Sequence, residues 1–177
     1  MVRKAKEMKL PMDDLVKRAQ RGDANAFTEL MQSQMQNMYK IARAMLRDDE
    51  DAADAISDTL LICWEKMGQL KKTEFFKTWM TRILINQCND ILRQRKKVYP
   101  VEEVEEVPAA LEEYDNVEWM ETMKCLDEKY RLVMILYYVN GLNTEEIGSV
   151  LHIPASTVRT RLARGRSQIA AAFCRMS

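Results

Sequence analysis

The chain is poor in the residues that interrupt helices. Its 177 residues include only five Gly and four Pro, and aromatic residues make up 7%. Together with many Leu, Met, Ala, Lys and Glu, this scarcity predicts an all-helical protein. A chain of this length has room for one ordinary domain or for two small ones.

The sequence also lacks any long apolar run. Its longest apolar stretches are far too short to cross a bilayer, and the basic N-terminus is not followed by one. Neither a membrane anchor nor a signal peptide is therefore predicted. The four cysteines (Cys63, Cys88, Cys125 and Cys174) are scattered and form no C-x-x-C pair. This pattern predicts reduced core thiols in a cytoplasmic protein, with neither a zinc site nor a disulfide framework.

The net charge is zero, but charge is unevenly distributed along the chain. Residues 1–97 carry 19 Lys/Arg and 14 Asp/Glu, residues 98–128 carry 1 and 11, and residues 129–177 carry 7 and 2. Two basic segments therefore flank an acidic one. Because a neutral chain attracts duplex DNA only weakly at long range, we expect another molecule to supply most of any DNA affinity.

The acidic segment predicts a boundary between two small helical domains. Residues 98–116 contain two prolines, six glutamates and little helical periodicity, which favour an extended connector. A surface loop packed on one domain is the alternative. The predicted units are a disordered tail (1–12), an N-terminal helical bundle (13–97), an acidic flexible linker (98–116) and a C-terminal helix-turn-helix domain (117–177). We expect the linker to shield the basic surfaces on both sides.

The last forty residues predict a helix-turn-helix. Asn143 and Glu146 form a capping-box pattern at the start of a short apolar-periodic helix. Pro154 ends that helix, because the residue before a proline is pushed out of the α region. A second helix follows from about residue 156, with Arg159, Arg161 and Arg166 on its flanks. Opposite its apolar side lie small polar residues and one arginine: Ser156, Thr157, Thr160, Arg164 and Ser167.

A solvated basic face on an amphipathic hairpin is the alternative interpretation of this motif. Two features favour DNA. Four arginines fall within residues 159–166, and Ser156 and Thr157 lie at the amino end of the second helix. Hydroxyl groups placed there donate to phosphates or base edges, and a helix of this kind fits a major groove.

The N-terminal unit predicts four helices. They span residues 13–21, 23–46, 52–67 and 73–97, and two further helices, over 117–126 and 128–139, lead into the helix-turn-helix. The third has an acidic start, and Asp48 to Asp51 suit the helix dipole there. Asp54 and Asp58 lie beyond its reach and share a ridge with Asp51. A basic partner surface explains them better than a calcium loop, whose glycine and ligand spacing are missing.

The fourth helix carries a polar stripe. Arg82, Asn86, Asn89 and Arg93 recur at helical spacing and lead to a run of cations that includes Arg95 and Lys96. Asparagine is a mediocre helix former, so two of them in mid-helix indicate a function. Amides that read base edges, followed by cations that hold phosphates, fit nucleic acid. Phe75 and Trp79 suit stacking on exposed bases, although a core position is the more common use of such residues.

Three stretches together resemble the extracytoplasmic-function group of bacterial RNA polymerase sigma factors. Residues 54–64 (DAISDTLLICW) are similar to the polymerase-binding helix of that family. Residues 76–86 (FKTWMTRILIN), continuing to Asp90-Ile-Leu-Arg93, resemble its promoter-melting segment. Residues 141–147 and 154–166 resemble its reader of the minus-thirty-five promoter element.

The resemblance implies a non-enzymatic subunit without a cofactor or metal that directs transcription initiation. Its partners would be core RNA polymerase, promoter DNA as duplex and as melted non-template strand, and an anti-sigma factor of a stress response. It places Asn86 at a flipped base of the minus-ten element. The other minus-ten contacts it implies are Arg82, Asn89, Arg93, Arg95 and Lys96. The polymerase contacts are Asp51, Asp54 and Asp58. The minus-thirty-five contacts are Thr144, Glu145, Ser156, Thr157, Arg159, Thr160, Arg164 and Arg166.

Two positions depart from the family pattern. Ala163 stands where bulkier groups occur, which removes an apolar base contact. Lys71-Lys72-Thr73 replaces a more usual arginine-glycine pattern in the loop over residues 68–74 that shapes the base pocket. The resemblance therefore implies no particular preferred base at the minus-ten element.

Two other classes of function compete with this interpretation. A stand-alone helix-turn-helix regulator would bind duplex DNA without polymerase, but it would need a dimer interface, and the sequence has no heptad seam. A phosphodiester enzyme would need a cluster of Asp, Glu and His at metal-ligand spacing. The only histidine, His152, lies in the turn of the helix-turn-helix, where a packing role is expected.

Overall fold

The computed structural model describes residues 11–98 and 123–176, and these are helical throughout apart from short turns. The prediction of an all-α protein is confirmed. The helix predicted over residues 117–126 and the linker over residues 98–116 lie mostly outside the described residues. The helices are α1 (Met12–Gln20), α2 (Ala24–Met45), α3 (Asp49–Lys66), α4 (Phe76–Val98), α5 (Glu128–Met134), α6 (Thr144–Leu151) and α7 (Ala155–Met176).

The helix ends follow from local hydrogen bonding. Asp23 caps α2 by accepting from the backbone N–H of Ala26, and Asp48 caps α3 by accepting from two backbone N–H groups. Gly22 and Gly141 adopt φ angles of 88° and 70°, as glycines just past helix ends commonly do. The third helix starts three residues earlier than predicted, because Asp48 acts as its cap and Asp49 opens its first turn.

Helices α2, α3 and α4 form the core of the N-terminal bundle. Met38, Ile41 and Leu30 of α2 are fully buried, as are Phe76 and Met80 of α4. The apolar stripes predicted for these helices therefore face the core. Trp64 of α3, by contrast, is 40% exposed.

A partly buried Trp64 has a simple physical reason. Its ring packs edge-on against Phe27, with ring centroids 5.0 Å apart. Cys63, one position earlier, takes the fully buried site on that face of α3. Consecutive residues on a helix point about 100° apart, so Trp64 lies at the edge of the buried face that Cys63 occupies.

The cysteines divide into two pairs. Cys63 and Cys88 are buried, as predicted, and burial raises the pKa of each thiol to about 12, which keeps both protonated and unreactive. Cys125 and Cys174 are exposed, so the prediction of core thiols is wrong for them.

The C-terminal helices pack around the helix-turn-helix. After α5 the chain continues through one π-helical segment, Ile135–Val139, before α6 begins. Gly165 of α7 lies against α5, since a Cβ there would be 3.0 Å from Cγ of Met134. Val158 and Leu162 complete the buried side of α7. The apolar face predicted for the second helix of the motif is therefore the face that packs.

The two described parts of the chain pack against each other. Helix α4 contacts α6, and α2 contacts α5, so that one hydrophobic cluster runs through both parts. Polar contacts accompany it. The side-chain amide of Asn140 donates to the hydroxyl of Thr81 over 3.0 Å, and both side chains are buried. Thr78 donates to a carboxylate oxygen of Glu146 over 3.2 Å.

Candidate nucleic-acid interface

The helix-turn-helix consists of α6, a tight turn and α7. Asn143 accepts from the backbone N–H of Glu146, and the carboxylate of Glu146 accepts from the backbone N–H of Asn143, both over 2.8 Å. This is the predicted capping box. Helix α6 ends at His152, which adopts a left-handed φ of 56° and is exposed. His152 therefore turns the chain, and the packing role expected for its side chain is wrong.

Helix α7, which we call the recognition helix, presents its polar side to solvent. Ser156, Arg159, Thr160, Arg164 and Arg166 are exposed, and Thr157 is half-buried. The predicted minus-thirty-five residues on this helix therefore share one accessible side. Thr144 and Glu145 stand at the start of α6, and the carboxylate of Glu145 lies 3.6 Å from the guanidinium of Arg159. The structure thus brings together the residues predicted from both helices of the motif.

Two tyrosines outside the motif hold arginines of the recognition helix. Arg166 donates to the hydroxyl of Tyr138 over 3.1 Å. A hydrogen bond from Arg164 lowers the pKa of the Tyr130 hydroxyl. Neither tyrosine was predicted from the sequence to be part of the site. The aromatic positions on α5 and the π-helical segment gave no signal, because their relation to the recognition helix is set by tertiary packing.

The predicted minus-ten stripe on α4 is accessible at its centre, and the arginines towards its two ends form polar contacts within the protein. Asn86 is exposed and Asn89 is half-buried. Arg82 donates to the hydroxyl of Ser149 on α6 over 2.6 Å, so it faces the helix-turn-helix. Arg93 pairs with Asp90 over 3.0 Å on its own helix. Lys96, further along α4, is exposed.

Arg95 links the predicted DNA-binding and polymerase-binding residues. Its guanidinium lies 2.6 Å from the carboxylate of Asp51 and 3.9 Å from that of Asp48. Asp54 and Asp58 lie further along α3 and are exposed. The three predicted polymerase-binding carboxylates are therefore not equivalent, because Asp51 already has an intramolecular partner.

The aromatic residues near the start of α4 differ in exposure. Phe75 is 46% exposed, and the ammonium of Lys72 lies 5.7 Å from the centre of its ring. Trp79 is half-buried and packs near Phe76, with ring centroids 6.2 Å apart. Phe75 therefore lies at the surface beside a cation and not in the core. Trp79 is partly in the core.

The described residues contain no group of three or more His, Cys, Asp or Glu side chains placed to hold a metal ion. Across the same residues, no helix is both long enough and apolar enough to cross a membrane. What the site does contain is a row of amides, hydroxyls and guanidinium groups on two helices, which is the chemistry of phosphate and base contacts.

Comparison with known proteins identifies the class to which this fold and these surfaces belong. The model of Sigma-70 region 2 matches residues 30–98, and that of Sigma-70 region 4 matches residues 116–169. The first covers the bundle with the α4 stripe, and the second covers the helix-turn-helix. The chain therefore has the DNA-binding regions of a sigma factor, in the family's order.

Curated relatives narrow the class. The chain is 26% identical over 182 residues to the ECF RNA polymerase sigma factor SigW of Bacillus subtilis, covering 92% of this chain and 96% of SigW. It is 27% identical to the ECF RNA polymerase sigma-E factor of Escherichia coli, with 88% and 90% of the two chains covered. The chain belongs to the extracytoplasmic-function family of sigma factors, which bind core RNA polymerase to initiate transcription and are not enzymes.

Solved structures have the same fold. CnrH, in complex with the cytosolic domain of CnrY, matches with a TM-score of 0.66 at 22% identity, covering 94% of this chain and 99% of CnrH. The sigma factor RpoE of Bartonella quintana, in complex with the anti-sigma factor NepR, matches with a TM-score of 0.60 at 21% identity, covering 78% of this chain and 92% of RpoE.

Proposed function

We propose that this chain selects promoters by reading two DNA elements with two separate surfaces, α4 and the recognition helix α7. The observation that carries the proposal is the exposed Asn86 in the middle of α4. Its amide has no structural role among the described residues, and it is flanked by cations along one stripe. An exposed amide that costs helix stability and forms no hydrogen bond among the described residues is suited to a ligand outside the protein.

In this proposal α4 binds the melted minus-ten element. Asn86 captures a flipped base of the non-template strand, and Arg82, Asn89, Arg93, Arg95 and Lys96 hold the strand around it. Unstacking one base costs a few kcal/mol, so a pocket with an amide both stabilises the open strand and selects its sequence. Arg82 and Arg95 first have to leave Ser149 and Asp51, their partners in the free chain.

The helix-turn-helix reads the minus-thirty-five element as duplex. Exposed residues of the recognition helix enter the major groove, while residues at the start of α6 brace the DNA backbone or an edge base. The proposed contacts are Thr144, Glu145, Ser156, Thr157, Arg159, Thr160, Arg164 and Arg166. Because Arg159 is 3.6 Å from Glu145, the carboxylate orients this guanidinium and limits the bases that it accepts.

The acidic ridge on α3 is the proposed polymerase-binding surface. Asp54 and Asp58 are exposed one turn apart, and the next position on the same ridge, Leu61, is 58% exposed. An exposed apolar group beside two carboxylates fits a basic partner helix that also buries apolar area. Asp51 contributes once Arg95 is released to DNA.

Polymerase affinity also explains how a neutral chain binds promoters. Each DNA-binding unit then needs only modest affinity, because a linker makes the second contact effectively intramolecular. The proposed units are those expected from the sequence, residues 13–97 and 117–177, joined by residues 98–116 and preceded by a tail of residues 1–12. The chain acts in the cytoplasm, where polymerase and promoters are. The solved RpoE of Bartonella quintana is bound to the anti-sigma factor NepR. An anti-sigma factor covering the α3 ridge and the recognition helix would hold this chain inactive.

Run-off transcription tests the proposed function. Core RNA polymerase is incubated with fragmented genomic DNA, with and without the chain, and the RNA starts are sequenced. We expect starts that require the chain and share two spaced motifs. Duplex binding without polymerase, together with no chain-dependent start, would instead support a stand-alone regulator.

Two variants assign the surfaces in that assay. Asn86→Ala and Arg164→Ala are each expected to abolish most chain-dependent starts, whereas Lys17→Gln, an exposed change on α1, is expected to leave them unchanged. Alanine is the best helix former, so Asn86→Ala gains up to about 0.7 kcal/mol of helix stability, and unfolding does not explain its loss of starts. Undiminished starts with Asn86→Ala would contradict the role of α4.

A further inference from the structure

A cleft lies between the start of α5 and the recognition helix, and we call it the anion cleft. Its volume is about 330 Å³. Lys129 and Tyr130 line it from α5, and the recognition helix lines it with two cations, Arg161 and Arg164, and with three hydroxyl residues, Ser156, Thr157 and Thr160. Among the described residues no carboxylate lines the cleft, so an anion there would meet three positive charges.

The cations of the cleft are not paired with acids. Over the part of the chain that the structure describes, neither Lys129 nor Arg161 forms an ion pair. The Lys129 ammonium lies 5.0 Å from the centre of the Tyr130 ring, and the side chain is exposed. Three cations held close together without counter-charges repel one another, so a ligand with negative charge would relieve the repulsion.

Tyr130 fixes one wall of the anion cleft. It is 6% exposed and its Cβ would lie 3.7 Å from a Cβ at Gly165, so its ring is held by packing against the recognition helix. A wall that is held in this way loses less conformational freedom when a ligand binds. Arg161 is half-buried, which restricts its side chain as well. The cleft is therefore partly preorganised.

We propose that the anion cleft binds a backbone phosphate of the minus-thirty-five duplex, held by Lys129 and Arg161. The inference rests on the proposed function, because it requires DNA on the recognition helix. The cations and hydroxyl groups that line the cleft are hydrogen-bond donors, and phosphate oxygens are charged acceptors that such donors commonly bind. Ser156 and Thr157 add hydroxyl donors, which commonly bind phosphate oxygens. Phosphate contact extends the DNA footprint to α5, outside the helix-turn-helix.

Salt dependence measures this contact. Holoenzyme containing the full chain is bound to promoters found by run-off transcription, over a series of salt concentrations. A lost phosphate contact lowers the slope of log Kobs against log salt by about one and weakens binding equally for different sequences. Lys129→Gln is expected to do both, and the matched charge loss Lys17→Gln on α1 is expected to do neither. Equal slopes for the two variants would overturn the proposal.

A neutral DNA analogue identifies the source of the phosphate. Methylphosphonate replaces one phosphate at a time along the minus-thirty-five duplex, which removes one negative charge. At one position we expect the methylphosphonate to weaken binding of the wild-type chain. The same methylphosphonate should not weaken binding of Lys129→Gln any further, because that variant has already lost the contact. If no position shows this coupling, the cleft does not hold DNA. Inorganic phosphate that binds the free chain, with the same absence of coupling, would assign a free anion and also overturn the proposal.

Tyr130 lies against Gly165 and lines the cleft together with Arg164, and it is proposed as a positioning residue that acts through Arg164. Tyr130→Phe keeps the packed ring and removes the hydroxyl. We expect it to weaken discrimination between minus-thirty-five sequences in the wild-type background and to have no effect in Arg164→Ala. An equal effect in both backgrounds would show that Tyr130 has a structural role only. A lower melting temperature for Tyr130→Phe would lead to the same conclusion.

The experiments distinguish a failure of the proposed function from a failure of the anion cleft alone. If the wild-type chain produces no promoter-dependent start and no specific duplex binding, the proposed function fails and the anion cleft fails with it. If the wild-type chain initiates at promoters, and Lys129→Gln behaves like Lys17→Gln, only the anion cleft is wrong.

Discussion

Gly148 allows the tight turn of the helix-turn-helix because no side chain fits at its position. A Cβ there would lie 2.7 Å from the backbone oxygen of Ile153 and 3.4 Å from the backbone nitrogen of Ala155. The same turn is closed by a hydrogen bond from the Ile153 N–H to the Gly148 carbonyl over 3.0 Å. The close approach of the two backbone segments therefore sets the angle between α6 and the recognition helix.

Gly148→Ala is expected to destabilise the protein although alanine is the better helix former. The overpacking against a backbone atom costs about 1–3 kcal/mol, which exceeds the gain of about 1 kcal/mol from helix propensity. Urea unfolding measures the difference. Gly68→Ala is the matched control, because a Cβ at Gly68 would meet nothing within 4 Å. If Gly148→Ala is as stable as Gly68→Ala, the turn tolerates a side chain and this account of it is wrong.

For single residues, helical periodicity predicted which side chains share one face of the same helix. It grouped Asn86 with its stripe and put Thr160 and Arg164 on the exposed side of the recognition helix. It gave no sign of Tyr130 or Lys129, which reach the recognition helix from α5. Their position depends on packing between helices, and a one-helix pattern contains no information about it.

At the scale of elements, the start of α3 is stabilised by its own acidic residues. A carboxylate oxygen of Asp48 accepts from the backbone N–H of Glu50 and of Asp51, over 2.8 and 3.1 Å. These hydrogen bonds to the backbone, with the nearby charges of Arg95 and Arg43, hold the pKa of Asp48 below its ordinary value. The side chain of Asp48 therefore caps α3 in its ionised form.

Stability should depend on pH through this cap. Because the pKa of Asp48 is lower in the folded chain, its contribution is fully present above the ordinary pKa of 3.8 and is lost as pH falls through the lower folded pKa. Asp48→Asn keeps a capping oxygen but removes the titration. We expect the variant to lose less free energy of unfolding between pH 5 and pH 3 than the wild-type chain, as measured with urea.

The control for this prediction lies on the same helix. Asp58→Asn removes an exposed carboxylate that makes no hydrogen bond among the described residues. It should leave the acid dependence of unfolding unchanged. An acid dependence that is the same for Asp48→Asn as for the wild-type chain would contradict the proposed role of the cap.

The elements themselves were largely predictable from the sequence. The capping box of Asn143 and Glu146, the Asp23 start of α2 and the end at Gly141 all follow from local chemistry. The π-helical segment Ile135–Val139 was predicted as ordinary helix. Apolar residues occur throughout that segment, so the periodicity gave no boundary, and the change of winding comes from packing against its neighbours.

At the scale of the whole molecule, the two parts are joined by a buried polar contact. Asn140 donates to Thr81 over 3.0 Å inside the interface, where Thr81 is fully buried. Thr78 and Arg82 on the same helix reach Glu146 and Ser149 of α6. The predicted minus-ten helix is thus engaged with the helix-turn-helix in the free chain, an arrangement that composition and charge distribution did not predict.

Thr81→Val is expected to weaken this interface. Valine has nearly the same shape but leaves the Asn140 amide without its acceptor, which costs about 1–3 kcal/mol when the group stays buried. Urea unfolding measures the loss. Thr28→Val on the exposed side of α2 is the matched control and should change stability by no more than about 0.5 kcal/mol. Equal stabilities for the two variants would contradict the buried contact.

The contact between the two parts has a consequence for promoter binding. Adjacent bases along a strand are about 3.4 Å apart, so a minus-ten and a minus-thirty-five element lie many tens of ångströms from each other along DNA. Helices α4 and α6, by contrast, are within hydrogen-bond distance here. Reading both elements at once therefore requires that α4 separate from α6, and Arg82 then exchanges Ser149 for DNA.

If one chain reads two promoter elements at a set separation, initiation depends on the length of the spacer between them, and a spacer series measures that dependence. Base pairs are inserted or deleted one at a time between the two motifs of a promoter found by run-off transcription, and chain-dependent starts are counted. Half a helical turn, about five base pairs, moves the elements to opposite faces of the duplex. We predict a maximum at the natural spacing and a steep fall on either side. Starts that stay equal across the series would contradict the account.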